Sequence, residues 1–285
     1  MPEFFGQTDP RKLELSGHDF YQLLERLFEL VPNADTYFLC LATLHKSRLK
    51  YARIIERQTI PTMDQVGPRV LLQYGQLSSN ALAGFLLWRK WLFDIDNRAG
   101  QETGYLFEPI IANAIGGISF SASNSPIRRH TDKTKGRQVD CMRQDLAYEI
   151  KVRVTIAASG QGRWREELYF PKDCRESGYT PVLIVLDPTP NPKLAQLINA
   201  FLEQDGSAYV GDAAWQHLEE AAGEVMALFL EKYVREPLQE VLRSAPDKLP
   251  DITFKMNEDA FYVQVANEET RFMRHQNADQ SSDDD

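Results

Sequence analysis

Two carboxylates and a lysine lie close together in the middle of the sequence. Asp140 stands in the run QVDCM, and Glu149 follows nine residues later in the run LAYEIKVRVTI, with Lys151 two residues beyond it. The second run alternates between apolar and polar residues, as a β-strand with one buried face does, so Glu149 and Lys151 share the other face. A tight hairpin with its turn at residues 143–145 would bring Asp140 beside Glu149.

These residue types, once brought together, can bind a divalent cation and act on a phosphate ester. Two close carboxylates repel each other, and a Mg²⁺ ion between them removes that cost. Mg²⁺ takes one or two carboxylates and completes its octahedral shell with water and phosphate oxygens. Lys151 can hold the scissile phosphate and orient an attacking water. The same residues also fit a plainer alternative, an exposed sheet face stabilised by cross-strand ion pairs.

The runs around this group predict the element order α, β, β, β, α, β. The segment YLFEPIIANAI, ended by Gly116 and Gly117, predicts a helix with Pro109 in its first turn or at a kink. ISFSAS, RQVDCM and LAYEIKVRVTI predict strands, and the continuous apolar run TPVLIVLDPTP predicts a strand buried on both faces. The segment RWREELYFPKDCRES, between the last two strands, predicts a partly helical connection.

Asp140 followed by Glu149-Ile150-Lys151, within this order of elements, resembles the PD-(D/E)XK nuclease superfamily over about residues 102–190. Val139 stands where that motif has proline. The resemblance implies an α/β (α+β) protein with a restriction-endonuclease-like mixed central sheet flanked by helices, joined here to an N-terminal helical subdomain. It also implies that Asp140, Glu149 and Lys151 are catalytic and that the two carboxylates bind Mg²⁺.

Glu108 matches, by position, a glutamate that many members of the superfamily carry on the first core helix. The resemblance therefore implies that Glu108 is a further catalytic and metal-binding residue. An acidic residue next to Pro109 at the start of a helix is the ordinary alternative, because negative charge stabilises a helix N-terminus.

Within the superfamily, the chain resembles type II restriction endonucleases, and in particular the ApaLI-like enzymes, through GYLFEPIIANAIGG and the block from VDC to YEIKVRVT. This resemblance implies Mg²⁺-dependent, sequence-specific cleavage of double-stranded DNA by a homodimer, since a two-fold symmetric protein reads a two-fold symmetric site. Three alternatives stay open: a superfamily nuclease of DNA repair or recombination, a noncatalytic DNA-binding protein, and a helical interaction protein.

Charge is distributed unevenly along the chain. The net charge is −9, from 32 basic and 41 acidic residues, yet residues 128–165 hold ten basic and four acidic residues, a local charge of +6. A local positive segment in an acidic chain suits a polyanion partner, although a solvated basic loop would give the same count. The residues predicted to contact DNA are Arg128, Arg129, Lys133, Lys135, Arg137, Arg153, Arg163, Trp164 and Arg165.

These residues are predicted to make two kinds of contact. Residues 128–137 are polar and poor in strand signals, which predicts a mobile loop that closes on phosphates. Arg153 is predicted to lie on the catalytic strand and Arg163 and Arg165 to follow it, so these three residues are predicted to make fixed contacts, including contacts with bases. Trp164, between two arginines, is predicted either to pack against the protein or to stack on a base or sugar.

Composition excludes several other classes of protein. The three cysteines are widely spaced, and the five histidines have no metal-ligand spacing, so neither a disulfide framework nor a zinc site is expected. No glycine-rich phosphate loop occurs, which argues against a nucleotide cofactor. The absence of a long apolar run and of a basic, apolar leader predicts a cytoplasmic protein with no membrane partner.

The chain is predicted to divide into four parts. Helices are expected at His18–Leu30 with Ser16 as its cap, at residues 34–58 and at residues 70–93. The parts are a helical subdomain (1–100), the nuclease core with a flanking helix (101–245), C-terminal strands (246–275) and a disordered acidic tail (276–285).

Overall fold

A computed structural model describes residue 17, residues 19–152 and residues 161–274; the side chains of Phe20 and residues 161–163 are not described. The chain divides into two compact units. The first comprises the chain up to His45 together with Gly104–Arg243, and the second comprises Lys46–Thr103 together with the chain from Ser244 onward. The predicted boundaries near residues 100 and 245 lie close to two of these junctions, whereas the chain up to His45 groups with the sheet and not with Lys46–Thr103.

Helices account for much of both units. Residues 67–72 form a 3₁₀ helix and residues 231–235 a π-helical segment. The first helix begins after Asp19, whose side chain accepts a hydrogen bond from the backbone N–H of Tyr21 at 2.9 Å, so Asp19 caps this helix and not the predicted Ser16. The α-helices of the described residues are α1 (Phe20–Leu30), α2 (Ala34–Arg57), α3 (Met63–Val66), α4 (Ser79–Ala114), α5 (Gln161–Glu176), α6 (Pro192–Leu202), α7 (Asp212–Leu230) and α8 (Glu236–Arg243).

The bounds of helix α4 differ from those that the sequence predicts. The sequence predicts one helix over residues 70–93 and another after Gly104, whereas a single helix of 36 residues begins only at Ser79, continues past Gly104 without a break and contains Pro109. One glycine inside a helix costs about 1 kcal/mol, which neighbouring interactions can offset. Just before Gly104, Arg98 and Glu102 form an ion pair at 3.2 Å one turn apart along the helix.

The central sheet has five strands in the order β1-β4-β5-β6-β7. Antiparallel pairing joins β1, β4 and β5, and parallel pairing joins β5, β6 and β7, so the sheet is mixed as predicted. Its strands are β1 (Ile118–Phe120), β4 (Val139–Arg143), β5 (Leu146–Lys151), β6 (Thr180–Val185) and β7 (Ser207–Val210). A two-stranded ribbon of β2 (Arg128–Arg129) and β3 (Asp132–Gly136) is inserted between β1 and β4.

Helices cover both faces of this sheet, which confirms the predicted fold class. Tyr148 and Ile150 of β5 pack in one core with Ile111 of α4 and Phe229 of α7. Ala147, between them in sequence, faces the other core, which holds residues of α5 and α6. The alternation predicted for LAYEIK is therefore confirmed, and β6 is buried along most of its length, as its apolar run predicted.

The second unit contains an antiparallel sheet of three strands, β8 (Ile252–Met256), β9 (Ala260–Val265) and β10 (Glu268–Met273). The first two strands were predicted from ITFKM and AFYVQVA. Phe261 of β9 packs edge-on against Trp91 of α4, with ring centroids 4.5 Å apart. No helix in the part of the chain that the structure describes is long and apolar enough to cross a membrane.

Candidate active site

The two predicted carboxylates lie at the open end of the hairpin formed by β4 and β5. The strands pair antiparallel up to Cys141 and Tyr148, with a tight turn at residues 144–145. Asp140 and Glu149 are therefore the next residues along each strand. The hairpin is the one that the sequence predicts, because the alternation of each strand and the short turn between them are local signals.

Asp140 occupies an irregular position in β4. Between its two pairs with β1, β4 has one residue more than β1, so the strand contains a bulge that includes Asp140. The backbone N–H of Ile150 donates a hydrogen bond to Asp140 Oδ2 at 2.8 Å. The Asp140 carboxylate thus acts as an acceptor where the regular ladder between β4 and β5 ends. Bulges commonly redirect side chains next to active sites.

Three carboxylates in this region repel one another. Asp140 is only 8% exposed. Burial, followed by the negative charges of Glu149 and Glu108, raises the pKa of Asp140 well above its usual range, although the Ile150 N–H opposes the shift. Burial and then the charge of Glu149 also raise the pKa of Glu108. A positive charge placed among these groups would favour their ionised forms.

Lys151 supplies one such charge. Its Nζ atom lies 3.0 Å from Glu149 Oε1 and 3.7 Å from Glu167 Oε2 on α5. Burial alone would lower the pKa of Lys151, but the negative charges of Glu149 and Glu167 raise it above its usual range. Lys151 is therefore an ammonium group at neutral pH. Glu167 could not be identified as a site residue from the sequence, because the run RWREELYF does not show which of its glutamates faces the strand.

The position of Glu108 overturns its ordinary alternative. Glu108 lies well inside α4, which begins at Ser79, and not at the start of a helix. Its carboxylate interacts electrostatically with Glu149 and Lys151. The structure therefore brings Glu108 into the same cluster as the hairpin residues.

The donor set of this cluster fits a hard divalent cation. Within the described ranges, no group of three or more His, Cys, Asp or Glu residues forms a ready metal site. The carboxylates of Asp140, Glu149 and Glu108 are nevertheless oxygen donors of the type that Mg²⁺ prefers, and their mutual repulsion would be relieved by a cation.

The basic stretch at residues 128–137 is not the mobile loop that the sequence predicted. It forms the β2–β3 ribbon, which ion pairs attach to α5. Arg129 Nη1 and Arg137 Nη1 each lie 2.7 Å from Glu166 Oε2, and Lys133 Nζ pairs with Glu176. The acidic partners lie in a helix about 30–45 residues later in the chain, so a local charge count could not reveal them.

Arg137, which directly follows β3 of this ribbon, is buried and only 8% exposed. Its Nη1 atom lies 3.3 Å from Asp173 Oδ2, and Asp173 is 1% exposed. The backbone N–H and the Nδ1 atom of His130 both lie 2.6 Å from Asp173 Oδ1. The ion pair with the buried Asp173 carboxylate favours a structural role for the Arg137 guanidinium over the predicted contact with DNA. Arg128 and Lys135 remain exposed on the ribbon.

Comparison with known proteins identifies the family. The model of the ApaLI-like restriction endonuclease family matches residues 9–235. The chain belongs to the ApaLI-like restriction endonuclease family. It is similar to a protein named Type II restriction enzyme ApaLI from Acetobacter pasteurianus, with 54% identity over 233 residues, 80% of this chain and 62% of the relative. This chain therefore spans about 62% of the length of that relative. No solved structure matches the chain significantly.

The family match to the ApaLI-like model covers the elements that form the site. It includes α4, the ribbon, the β4–β5 hairpin and α5, and it ends before α8 and the strands β8–β10. The resemblance predicted from GYLFEPIIANAIGG and the VDC to YEIKVRVT block is thereby confirmed at the level of the family.

Three further predicted DNA contacts of this ApaLI-like chain, Arg163, Trp164 and Arg165, lie on α5. Trp164 is half-buried in α5, where its Nε1–H donates to Gln196 Oε1 at 3.1 Å, and Lys193 Nζ lies 5.1 Å from the ring centroid. These contacts with α6 favour the packing interpretation of Trp164 over stacking on a base. Arg165 is exposed on α5. The Arg163 side chain is not described, and Arg153 lies outside the described residues.

Proposed function

We propose that this ApaLI-like protein is a Mg²⁺-dependent type II restriction endonuclease that cleaves phosphodiester bonds in double-stranded DNA at a specific sequence. The observation that carries the proposal is the cluster of the buried Asp140 with the partly buried Glu149 and Lys151 at the open end of the β4–β5 hairpin, together with Glu108 of α4. Membership of the family and the similarity to a protein named Type II restriction enzyme ApaLI support the reaction.

In this proposal, Asp140, Glu149 and Glu108 hold Mg²⁺. The bound ion supplies Lewis-acid polarisation of the phosphate and lowers the pKa of water. Hydrolysis requires that a water oxygen attacks phosphorus, that one P–O ester bond breaks and that the leaving alkoxide gains a proton. Lys151, as an ammonium group, donates to the phosphate oxygen on which negative charge develops and thereby stabilises the transition state.

We further propose that the protein acts as a homodimer, because a palindromic site presents the same contacts twice to a two-fold symmetric protein. The exposed cations on the ribbon and on α5 would then contact the DNA on each half-site. Phosphate contacts would supply affinity for any sequence, and contacts with base edges would supply specificity. The cations assigned to this surface are Arg128, Lys133, Lys135 and Arg165.

Digestion of a sequenced plasmid with Mg²⁺, followed by mapping of the fragment ends, tests the proposal. Discrete fragments whose ends share one sequence are expected, and chelation of Mg²⁺ should abolish cleavage. Random degradation would favour a repair or recombination nuclease, and Mg²⁺-independent DNA binding without cleavage would favour a noncatalytic DNA-binding protein. The Asp140→Asn variant, prepared in parallel, controls for a contaminating nuclease.

Glu108→Gln is expected to slow cleavage and to raise the Mg²⁺ concentration needed for half-maximal rate about tenfold, the usual effect of losing one group of a metal site. Glutamine keeps the size of the side chain but removes the charge that attracts the ion. Cleavage rates over a Mg²⁺ series measure the effect, and circular dichroism checks the fold. An unchanged Mg²⁺ requirement would remove Glu108 from the site.

Arg128→Ala and Arg165→Ala are expected to weaken DNA binding in different ways. A phosphate contact from Arg128 on the ribbon would weaken specific and nonspecific binding together and lower the salt slope by about one. A base contact from Arg165 would cost about 1–3 kcal/mol on the specific site only. Affinities for specific and nonspecific duplexes over a salt series separate the two. If Arg128→Ala weakens only specific binding and Arg165→Ala weakens all binding alike, base recognition belongs to the ribbon and not to α5.

A further inference from the structure

The ammonium group of Lys151 lies between two carboxylates from different elements. Glu149, two residues earlier on β5, lies 3.0 Å away, and Glu167 of α5 lies 3.7 Å away. All three side chains are largely buried, with exposed fractions of 18% for Lys151, 17% for Glu149 and 25% for Glu167. An ion pair screened from water in this way is stronger and more directional than one on the surface.

The position of Glu167 on α5 is fixed by packing. Phe170 and Cys174, three and seven residues later, are fully buried against the sheet, so this face of the helix points toward β5 and β6. Glu166, its neighbour, pairs instead with Arg129 and Arg137 of the ribbon. The two adjacent glutamates of α5 therefore contact different partners: Glu166 pairs with the ribbon, and Glu167 faces Lys151 in the candidate site.

The proposed function creates a conflict at Glu149. The oxygen that lies nearest to Lys151 belongs to a carboxylate that is also proposed to bind the cation. Two positive charges on one carboxylate compete, and the repulsion between the cation and the ammonium group adds to the cost. Lys151 therefore needs another anionic partner if it is to stay in the site while Glu149 binds the ion.

We propose that Glu167 is a positioning residue that holds the Lys151 ammonium in the site when Glu149 turns to the cation. The inference rests on the proposed function, because it assumes a cation at Glu149. Glu167 touches neither the cation nor the phosphate; it acts through Lys151. Its effect is to free Glu149 for metal binding and to keep Lys151 Nζ near the reacting phosphate.

Binding of Ca²⁺, measured by isothermal titration calorimetry without DNA, tests the inference independently of cleavage. Glu167→Gln leaves Lys151 paired with Glu149 alone and is expected to weaken Ca²⁺ binding about fivefold, as a coupled pair in one network would. Glu203→Gln, the same charge change on an exposed residue of the first unit, should leave Ca²⁺ affinity unchanged. Unchanged Ca²⁺ affinity in Glu167→Gln would overturn the inference.

A double-mutant cycle separates positioning from direct ligation. With Lys151→Met as the background, no ammonium competes for Glu149, so adding Glu167→Gln should not change Ca²⁺ affinity further. If the loss persists in this background, Glu167 is itself a cation ligand and the inference is wrong. Should Lys151→Met fail to fold, Lys151→Gln removes the same charge with a polar side chain and provides the background for the same comparison.

Two further measurements complete the test. Cleavage kinetics of Glu167→Gln should show a higher Mg²⁺ requirement and a lower kcat with unchanged KM for DNA, and Glu167→Asp should recover part of both. Loss of Ca²⁺ binding in Asp140→Asn supports the metal site itself. If wild-type protein binds no Ca²⁺, or Asp140→Asn binds it normally, the proposed function fails along with the inference; if only Glu167→Gln behaves as wild type, the inference alone fails.

Discussion

Asp140→Asn, Glu149→Gln and Lys151→Met are each expected to lower the rate of DNA cleavage by at least about 100-fold, the scale for losing one electrostatic group of a catalytic site. The first two substitutions remove a carboxylate charge that is proposed to hold Mg²⁺. The third removes the ammonium group that is proposed to stabilise charge on the phosphate. Single-turnover cleavage of a duplex at saturating Mg²⁺ measures the loss, and the Glu203→Gln variant provides a control for charge alone.

Two of these variants, Asp140→Asn and Lys151→Met, are expected to change stability in opposite directions, which separates loss of catalysis from loss of folding. Burial and neighbouring carboxylates raise the pKa of Asp140 in the folded state. The stabilising contribution of the protonated Asp140 carboxyl is therefore complete below its pKa in the unfolded state, about 4. It is lost as the pH rises through the pKa of Asp140 in the folded state. Without metal near pH 8, Asp140→Asn should raise Tm by roughly 2–4 °C, as about 1 kcal/mol does at this size.

Lys151→Met should instead lower Tm under these conditions, because it leaves the carboxylates without their ammonium partner. The hydrogen bond from the Ile150 N–H can persist in Asp140→Asn, since the asparagine carbonyl oxygen also accepts. Thermal unfolding from pH 5 to pH 8 would show the gap between Asp140→Asn and wild type widening as pH rises. Three variants that cut DNA at the wild-type rate with intact circular dichroism would place the site elsewhere.

The part of the site that the sequence could predict is the part encoded locally. Asp140, Glu149 and Lys151 lie within twelve consecutive residues, and strand alternation and one tight turn are sufficient to bring them together. Glu167 acts on the same lysine from α5, sixteen residues after Lys151. Nothing in the periodicity of α5 shows which of its acidic residues faces the sheet until the sheet itself is known.

The errors in the predicted fold have a similar cause. Gly104 and Pro109 are local helix-breaking signals, but α4 continues through both because buried residues on either side hold it in place. The ribbon at residues 128–137 was predicted as a mobile loop because its own residues are polar, and its acidic partners are supplied by α5. Tertiary contacts of this kind override local propensity and are not visible in a window of sequence.

The buried ion pair between Arg137 and Asp173 leads to the second large expected effect. Arg137→Met is expected to destabilise the protein by about 3 kcal/mol, because breaking a buried pair leaves an uncompensated charge. The charge left behind belongs mainly to Asp173, which is 1% exposed, since the Glu166 side chain is 42% exposed and can be hydrated. Arg128→Ala, on the same ribbon but exposed, should change stability by less than about 0.5 kcal/mol. Urea unfolding measures both.

A second substitution shows whether the charge of Asp173 is the cause. Asp173→Asn in the Arg137→Met background removes the charge left without its partner and keeps an oxygen that can accept from the His130 N–H. The double variant should therefore regain much of the lost stability, because removing both partners costs less than removing one. The affinity for DNA should fall in Arg137→Met and recover in the double variant together with the free energy of unfolding, because these contacts attach the ribbon to α5. If Arg137→Met keeps wild-type stability but loses affinity for all DNA sequences, Arg137 is a phosphate contact, as the charge of residues 128–165 first indicated.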